Sequence, residues 1–249
     1  MGRLRDAFRE GLRGILLRWG YRVSKPETIP LLEPMLLTLM SRRQGLFIVQ
    51  VGANDGKSWD PIHNFVTTHH DRLKALVLEP LPDIFEQLRR NYAKYPNVTP
   101  VNAAVHNTEK EMTLWRVDPA ALKRLPDWAR GTGAFNRQGL LDLGIPEDAI
   151  VPAKVRCISL ADLVDEHRVE RVDLLQIDTE GYDAEIILGL DFRRLRPSLI
   201  RFEHRLAQGL MSREAFKQVC CALHDNGYEL CVGAHDALAY EREMFPEFR

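Results

Sequence analysis

The sequence predicts an α/β fold: a mostly parallel sheet with helices on both faces and an antiparallel hairpin at its C-terminal end. Three observations predict it. Short apolar runs recur along the chain, among them Phe47-Ile48-Val49-Gln50-Val51 and Leu174-Leu175-Gln176-Ile177, and runs of this kind form buried parallel strands. Segments with apolar residues at helical spacing separate them, which is the alternation of a parallel sheet covered on both sides. Two successive runs end at Gly52 and at Glu79, a bare turn and a carboxylate at strand ends, where open α/β sheets bind nucleotide-type cofactors.

Composition bounds the function. A chain of 249 residues is enough for one α/β domain with a substantial core. The net charge of -1 supplies no global field for nucleic acid, so no nucleic-acid partner is expected. Cys157, Cys220, Cys221 and Cys231 form no C-x-x-C pair, which suits reduced thiols in a cytoplasmic protein better than a disulfide framework or a zinc site. No apolar run is long enough to span a bilayer. Arg18 cuts short the run Ile15-Leu16-Leu17, a poor match to a secretory signal.

Residues 1–45 read as an extension and 46–249 as the main domain. In the extension, Leu4, Phe8, Leu12, Ile15 and Trp19 share one helical face, with Arg3, Arg9, Arg13 and Arg18 around it. Packing on the chain's own domain or on a second copy in a homo-oligomer is the simpler reading of that stripe. Contact of residues 3–19 with anionic lipid at the inner membrane surface is the sharper one. Pro26, Pro30 and Pro34 punctuate a linker over Ser24–Pro34, followed by a short helix around Met35–Arg42.

The first strand is Leu46–Val51, followed by a helix around Pro61–His69. The second is Ala75–Leu78; the helix after it, from Pro82 to about Lys94, carries Ile84, Phe85, Leu88 and Tyr92 on one face and Pro82 in its first turn. Val98–Val105 is predicted as a third strand and Glu111–Val117 as a fourth, flanking one. Residues 118–153 interrupt the pattern, and their length marks either a substrate lid or a surface insertion. Val155–Ile158 leads into a helix at Leu160–His167 capped by Ser159. Leu174–Asp178 is the next central strand, with a helix from about Tyr182 to Leu188, then a strand at Ser198–Glu203. The helix Ser212–Asn226 stops at Gly227, and Tyr228–Val232 with Leu238–Glu241 closes as a hairpin.

The strand ends hold the candidate chemistry. Gly52 and Gly56 bracket a turn in which Asn54 and Asp55 offer polar groups. The dinucleotide fingerprint G-x-G-x-x-G fails from Gly52, since Asn54 and Lys57 stand where glycines are needed, which argues against an NAD-linked oxidoreductase. Glu79 accepts hydrogen bonds only, so it suits a pair of ribose hydroxyls. Asn102-Ala103-Ala104 offers small residues beside an adenine, or an ordinary buried strand. Asp178-Thr179-Glu180 and Glu203-His204-Arg205 bring acids and an imidazole to one edge, a set that can hold a general base or, less readily, a metal. Helix capping by Asp178 or Thr179 is the structural alternative.

The order F-I-V-Q-V-G-A-N-D-G, L-V-L-E-P, V-N-A-A-V, I-S-L-A-D-L, D-L-L-Q-I-D-T-E-G-Y-D and L-I-R-F-E-H, from about Phe47 to His204, resembles the FkbM family of methyltransferases. The resemblance implies a Rossmann-like, class I methyltransferase fold and S-adenosylmethionine as cofactor. It also implies O-methylation of a hydroxyl on a sugar, a glycan or a natural product such as a polyketide. By position, it places Gly52, Ala53 and Asn54 around the methionine part of the cofactor, Glu79 on the ribose, and Asn102 with Ala103 beside the adenine. Asp178 would face cofactor and acceptor, with Glu180 beside it, and Glu203 and His204 would end the next strand. Gln50 stands where related motifs carry an acid; it can bond the cofactor's amino group without neutralising it, so Asp55 or Asp178 is expected to supply the charge. His204 or Asp178 is the expected base, with Glu180 and Glu203 orienting the base or the acceptor. No metal is assigned, although a divalent ion on Asp178, Glu180 and Glu203 is a chemically sound variant. A non-catalytic module that binds the cofactor or a glycan is the remaining rival.

Overall fold

A computed structural model describes residues 31–246. The amphipathic stripe over residues 3–19 and most of the proline-punctuated linker lie outside them. Seven α-helices are described: α1 (Leu32–Arg42), α2 (His63–Thr68), α3 (Pro82–Tyr92), α4 (Arg137–Asp142), α5 (Leu160–Glu166), α6 (Asp183–Leu188) and α7 (Arg213–Asp225). The strands are β1 (Leu46–Val51), β2 (Leu73–Leu78), β3 (Val98–Val101), β4 (Ala104–Val105), β5 (Glu111–Val117), β6 (Gly133–Ala134), β7 (Ile150–Ile158), β8 (Leu174–Ile177), β9 (Leu199–Glu203), β10 (Tyr228–Val232) and β11 (Asp236–Glu241). Among these residues, no helix is long and apolar enough to cross a membrane.

Seven strands form the main sheet in the order β10-β11-β9-β8-β1-β2-β3. The five from β9 to β3 are parallel, and β11 runs antiparallel to both β9 and β10. The chain leaves β1 towards β2 on one side and later returns to β8 on the other. That reversal of order opens a crevice at the carboxyl end of β1.

Period-two alternation divides the core between the two faces. Val49, Val51, Leu76, Leu78, Leu175, Ile177, Ile200 and Phe202 pack with residues of α5, α6 and α7 on one side. Ile48, Ala75, Val77, Leu174 and Leu199 pack with Met35, Leu36 and Leu39 of α1 and Leu88 and Tyr92 of α3 on the other. Helix α1 begins at Leu32, ahead of the expected Met35, because Pro34 falls in the first turn, where a missing N–H costs no hydrogen bond. At the amino ends of the strands, buried Asp173 pairs with Arg43 and Arg171 and accepts the Phe47 N–H at 2.7 Å, tying β1 to β8.

Two expectations are corrected. The predicted strand Val98–Val105 divides after Val101. Asn102 Nδ2 donates to the carbonyls of Glu79 and Pro80 at 2.8 and 3.0 Å, and the chain then pairs with β7 instead of β2. Likewise β5 does not flank the main sheet. It joins a second sheet in the order β4-β7-β5-β6, where β7 begins at Ile150 and pairs with β5 along its length.

Between β5 and β7 the chain forms 3-10 turns, β6 and α4. Ala121, Ala129, Ala134, Leu140, Ile145 and Ala149 join Val117 and Ile150 in a small core of their own.

Candidate active site

The site begins where β1 stops. Gly52 has φ +78°, and its N–H and that of Ala53 both donate to the Leu78 carbonyl, at 3.1 and 2.8 Å. A Cβ at Gly52 would lie 1.7 Å from the Asp178 carbonyl oxygen, so the turn passes directly against the end of β8. Asn54, at φ +50°, turns its N–H to Glu79 Oε2 at 3.1 Å and its Nδ2 to the Arg130 carbonyl at 3.1 Å. The first strand end is thereby fixed to the second and to the inserted segment.

Glu79 is buried, with Oε1 accepting the Leu81 N–H at 2.9 Å. Burial raises its pKa to about 8, against the pull of the Leu81 and Asn54 amides. Each oxygen has one amide donor and a lone pair in reserve.

These groups line a cavity of about 460 Å³, within the usual size of a small-molecule site. Gln50, Gly52, Ala53, Asn54, Glu79 and Ala103 contribute from the β1, β2 and β3–β4 ends. Asp178, Thr179, Glu180, Arg205, Gln208 and His235 contribute from the β8, β9 and β10–β11 ends. Trp128, Thr132, Phe135 and Leu143 come from the segment between β5 and β7, and Trp59, 82% exposed, adds an indole.

Four expected site residues are not in this lining. Asp55 caps its own turn, accepting the N–H groups of Lys57 and Ser58 and the Ser58 hydroxyl at 2.7–2.9 Å. Asn102 braces the β2–α3 connection through the two carbonyls already described. His204 is buried with its ring 5.0 Å from that of Phe216, and Nδ1 accepts the Leu206 N–H at 3.3 Å. Burial holds its pKa below the ordinary imidazole value. The expectation of His204 as base is therefore corrected: adjacent side chains at a strand end leave on opposite faces, and Glu203 takes the face toward Asp178.

Glu203 lies behind the cavity wall, with carboxylate oxygens of Asp178, Glu180 and Glu203 all within 4.8 Å of one another. Its Oε1 pairs with Arg205 Nε at 2.6 Å. Buried Asp183 accepts the Glu203 N–H at 2.9 Å and the Thr179 N–H at 3.1 Å, joining the ends of β8 and β9. Burial and then mutual repulsion raise the pKa values of Asp178 and Glu203, the latter to about 10. Burial raises that of Glu180 against the attraction of Arg205.

Sequence reasoning missed His235 and Gln208, whose Nε2 atoms are 3.4 Å apart in the lining. The His235 carbonyl accepts the N–H groups of His204 and Arg205 at 2.8 and 3.0 Å, bringing the β10–β11 turn over the end of β9. A hairpin was legible there, but only the pairing of β11 with β9 puts its turn beside the acids.

The residues present fit the cofactor implied by this arrangement. Glu79 offers acceptors to a pair of hydroxyls, and Gln50 Oε1 is buried with no hydrogen-bond partner, an acceptor suited to an ammonium group. The fold and this cleft define a class I S-adenosylmethionine-dependent methyltransferase. A model of the methyltransferase FkbM domain matches residues 50–230, and the chain belongs to the FkbM methyltransferase family, with S-adenosylmethionine as cofactor. No curated protein matches.

Similar solved structures include the fibrillarin pre-rRNA processing protein of Methanococcus jannaschii, 15% identical over 80% of this chain and 67% of that one, with a TM-score of 0.43. Precorrin-6y C5,15-methyltransferase of Geobacter metallireducens is 17% identical over 88% and 93%, with a TM-score of 0.39. A Podospora anserina methyltransferase with bound SAH is 14% identical over 87% and 80%, with a TM-score of 0.44.

Proposed function

We propose that this protein transfers a methyl group to a hydroxyl of a sugar, a glycan or a natural product. The observation that carries the reading is one cavity with a cofactor cradle on one wall and an acidic, histidine-bearing edge on the other. The cofactor supplies a methyl group activated by positive sulfur. The protein's part is to hold the acceptor oxygen in line with that methyl and to take its proton.

In this reading, Gly52, Ala53 and Asn54 hold the methionine part, Gln50 accepts its amino group, Glu79 accepts the ribose hydroxyls, and Ala103 leaves room for the adenine. Asp178 and Glu180 hold acceptor hydroxyls, with Glu203 orienting them from behind. His235 is the proton acceptor, the imidazole that His204 was expected to be, because it lines the cavity and His204 does not. Asp178 is the second candidate, since burial and a neighbouring acid raise its affinity for a proton. Residues 118–153 act as the lid through Trp128 and Phe135.

The test is labelled-methyl transfer to fractionated extracts of the source cell, with mass spectrometry of the product. An O-methyl ether is expected. Methyl found only on nitrogen, sulfur or carbon refutes the reading. Separate His235→Asn and Asp178→Asn variants assign the base: the proton acceptor is the residue whose loss removes the fall in rate toward acid pH.

A further inference from the structure

We infer that Asp178, Glu180 and Glu203 form a binding site for one hard divalent cation at the acidic edge of the cavity. Strand register builds the site. Ile177 and Phe202 are partners across the parallel β8–β9 pair, so the next residues, Asp178 and Glu203, leave the two strand ends side by side. The turn after β8, with Glu180 at φ +53° and Gly181 at φ +107°, carries Glu180 back to the same point.

The carboxylate oxygens lie within 4.8 Å of one another, about twice the calcium–oxygen distance of 2.3–2.6 Å. That separation is no wider than two oxygens on opposite sides of one calcium ion. An all-carboxylate set, with no thiolate, selects a hard ion over a soft one.

A second observation points to a ligand. Glu203 is 4% exposed, and its buried Oε2 has no hydrogen-bond partner; Glu180 Oε2 is likewise buried and without one. Buried acceptors of this kind need a donor or a cation. The guanidinium groups beside the cluster are engaged elsewhere through at least one nitrogen. Arg201 pairs with Asp236 at 2.7 Å, and Arg205 engages the other oxygen of Glu203. Asp183, bonded to the backbone of Thr179 and Glu203, holds the two ligand-bearing strand ends together.

Asp178 and Glu180 reach the cavity, so an ion here is accessible to an acceptor hydroxyl and lowers its pKa while His235 takes the proton. That consequence rests on the methyl-transfer reading, whereas ion binding does not. The test is therefore made without donor or acceptor. Chelator-treated full-length protein is titrated calorimetrically with calcium chloride and, separately, with magnesium chloride. One ion per chain is expected, together with a rise in the thermal unfolding midpoint.

Glu180→Gln and Glu203→Gln should each weaken binding at least tenfold and abolish the rise. Glu166→Gln, at the surface of α5, should leave both unchanged. Glu180 is only partly buried, so its variant keeps the test decisive if Glu203→Gln fails to fold, as judged by circular dichroism. Absence of heat and of any midpoint shift with both ions overturns the proposal, as does wild-type affinity in Glu180→Gln. Failure of the methyl-transfer reading shows separately, as absence of heat with S-adenosylhomocysteine.

Discussion

Replacing Gly52 by alanine tests how tightly the cofactor turn and the catalytic edge are locked together. An alanine at φ +78° loses about 1–2 kcal/mol to left-handed backbone strain. Its Cβ would also stand 1.7 Å from the Asp178 carbonyl oxygen and 2.8 Å from the carbonyl carbon. No rotamer relieves that overlap, because both partners are backbone, and overpacking of this kind adds about 1–3 kcal/mol. The combined loss of roughly 3 kcal/mol corresponds to a fall of about 6–12 °C in midpoint for a chain of this size.

Gly209 is the matched control: it has φ +79° and nothing within 4 Å of its added Cβ, so Gly209→Ala should lose the backbone part alone. The assay is thermal and urea unfolding of both variants, followed by calorimetric titration with S-adenosylhomocysteine. Gly52→Ala should bind at least tenfold more weakly than Gly209→Ala, since moving the Asp178 carbonyl distorts the cradle. Equal midpoints in the two variants would refute the close approach of β1 to β8, and unchanged affinity would refute its role in the cradle.

The other predictions address the strand ends and the histidines. Asp173→Ala leaves Arg43 and Arg171 without their shared partner, and breaking a buried pair of this kind costs about 3–5 kcal/mol, readable as a lowered urea midpoint. In the cofactor-free protein, Glu79 holds its proton up to about pH 8, whereas the unfolded chain releases it near 4.5. The native state therefore binds more protons between those values, and this contribution to stability, complete below pH 4.5, is lost as pH rises through 8. Glu79→Gln should flatten that part of the slope in unfolding measured at pH 5, 7 and 8.5; an unchanged slope would show that Glu79 titrates normally. His235→Asn should lower kcat by about a hundredfold or more, the size of a general-base contribution, with the midpoint preserved. His204→Asn should lower the midpoint with kcat retained, and the reverse pattern would show that the two imidazoles have been assigned to the wrong faces.

Much of the architecture was readable because apolar periodicity is local. The strands at Leu46–Val51 and Tyr228–Val232 and the cap at Ser159 occur where side-chain spacing and turn chemistry put them. Gly52, Ala53, Asn54, Glu79 and Asp178 were singled out for the same reason, each lying at or just past the end of an apolar run, and the structure gathers them around one cavity. Asn102 was placed beside the adenine by the family resemblance and Asp55 at the turn by its polar group, but both are occupied with backbone partners a few residues or one strand away. A polar side chain in a loop looks the same in sequence whether it faces a ligand or a carbonyl.

By itself, the sequence determined the alternation of strands and helices, the glycine turn after β1, the acid at the end of β2 and the family to which these belong. These depend on side-chain spacing within single segments. Only the tertiary structure decided that β4 and β5 leave the main sheet for β7, that Glu203 rather than His204 joins Asp178 and Glu180, and that His235 completes the edge. The reason is that these outcomes depend on register between strands distant in the chain. A shift of one residue in the pairing of β8 with β9, or of β9 with β11, would turn each of those side chains to the opposite face.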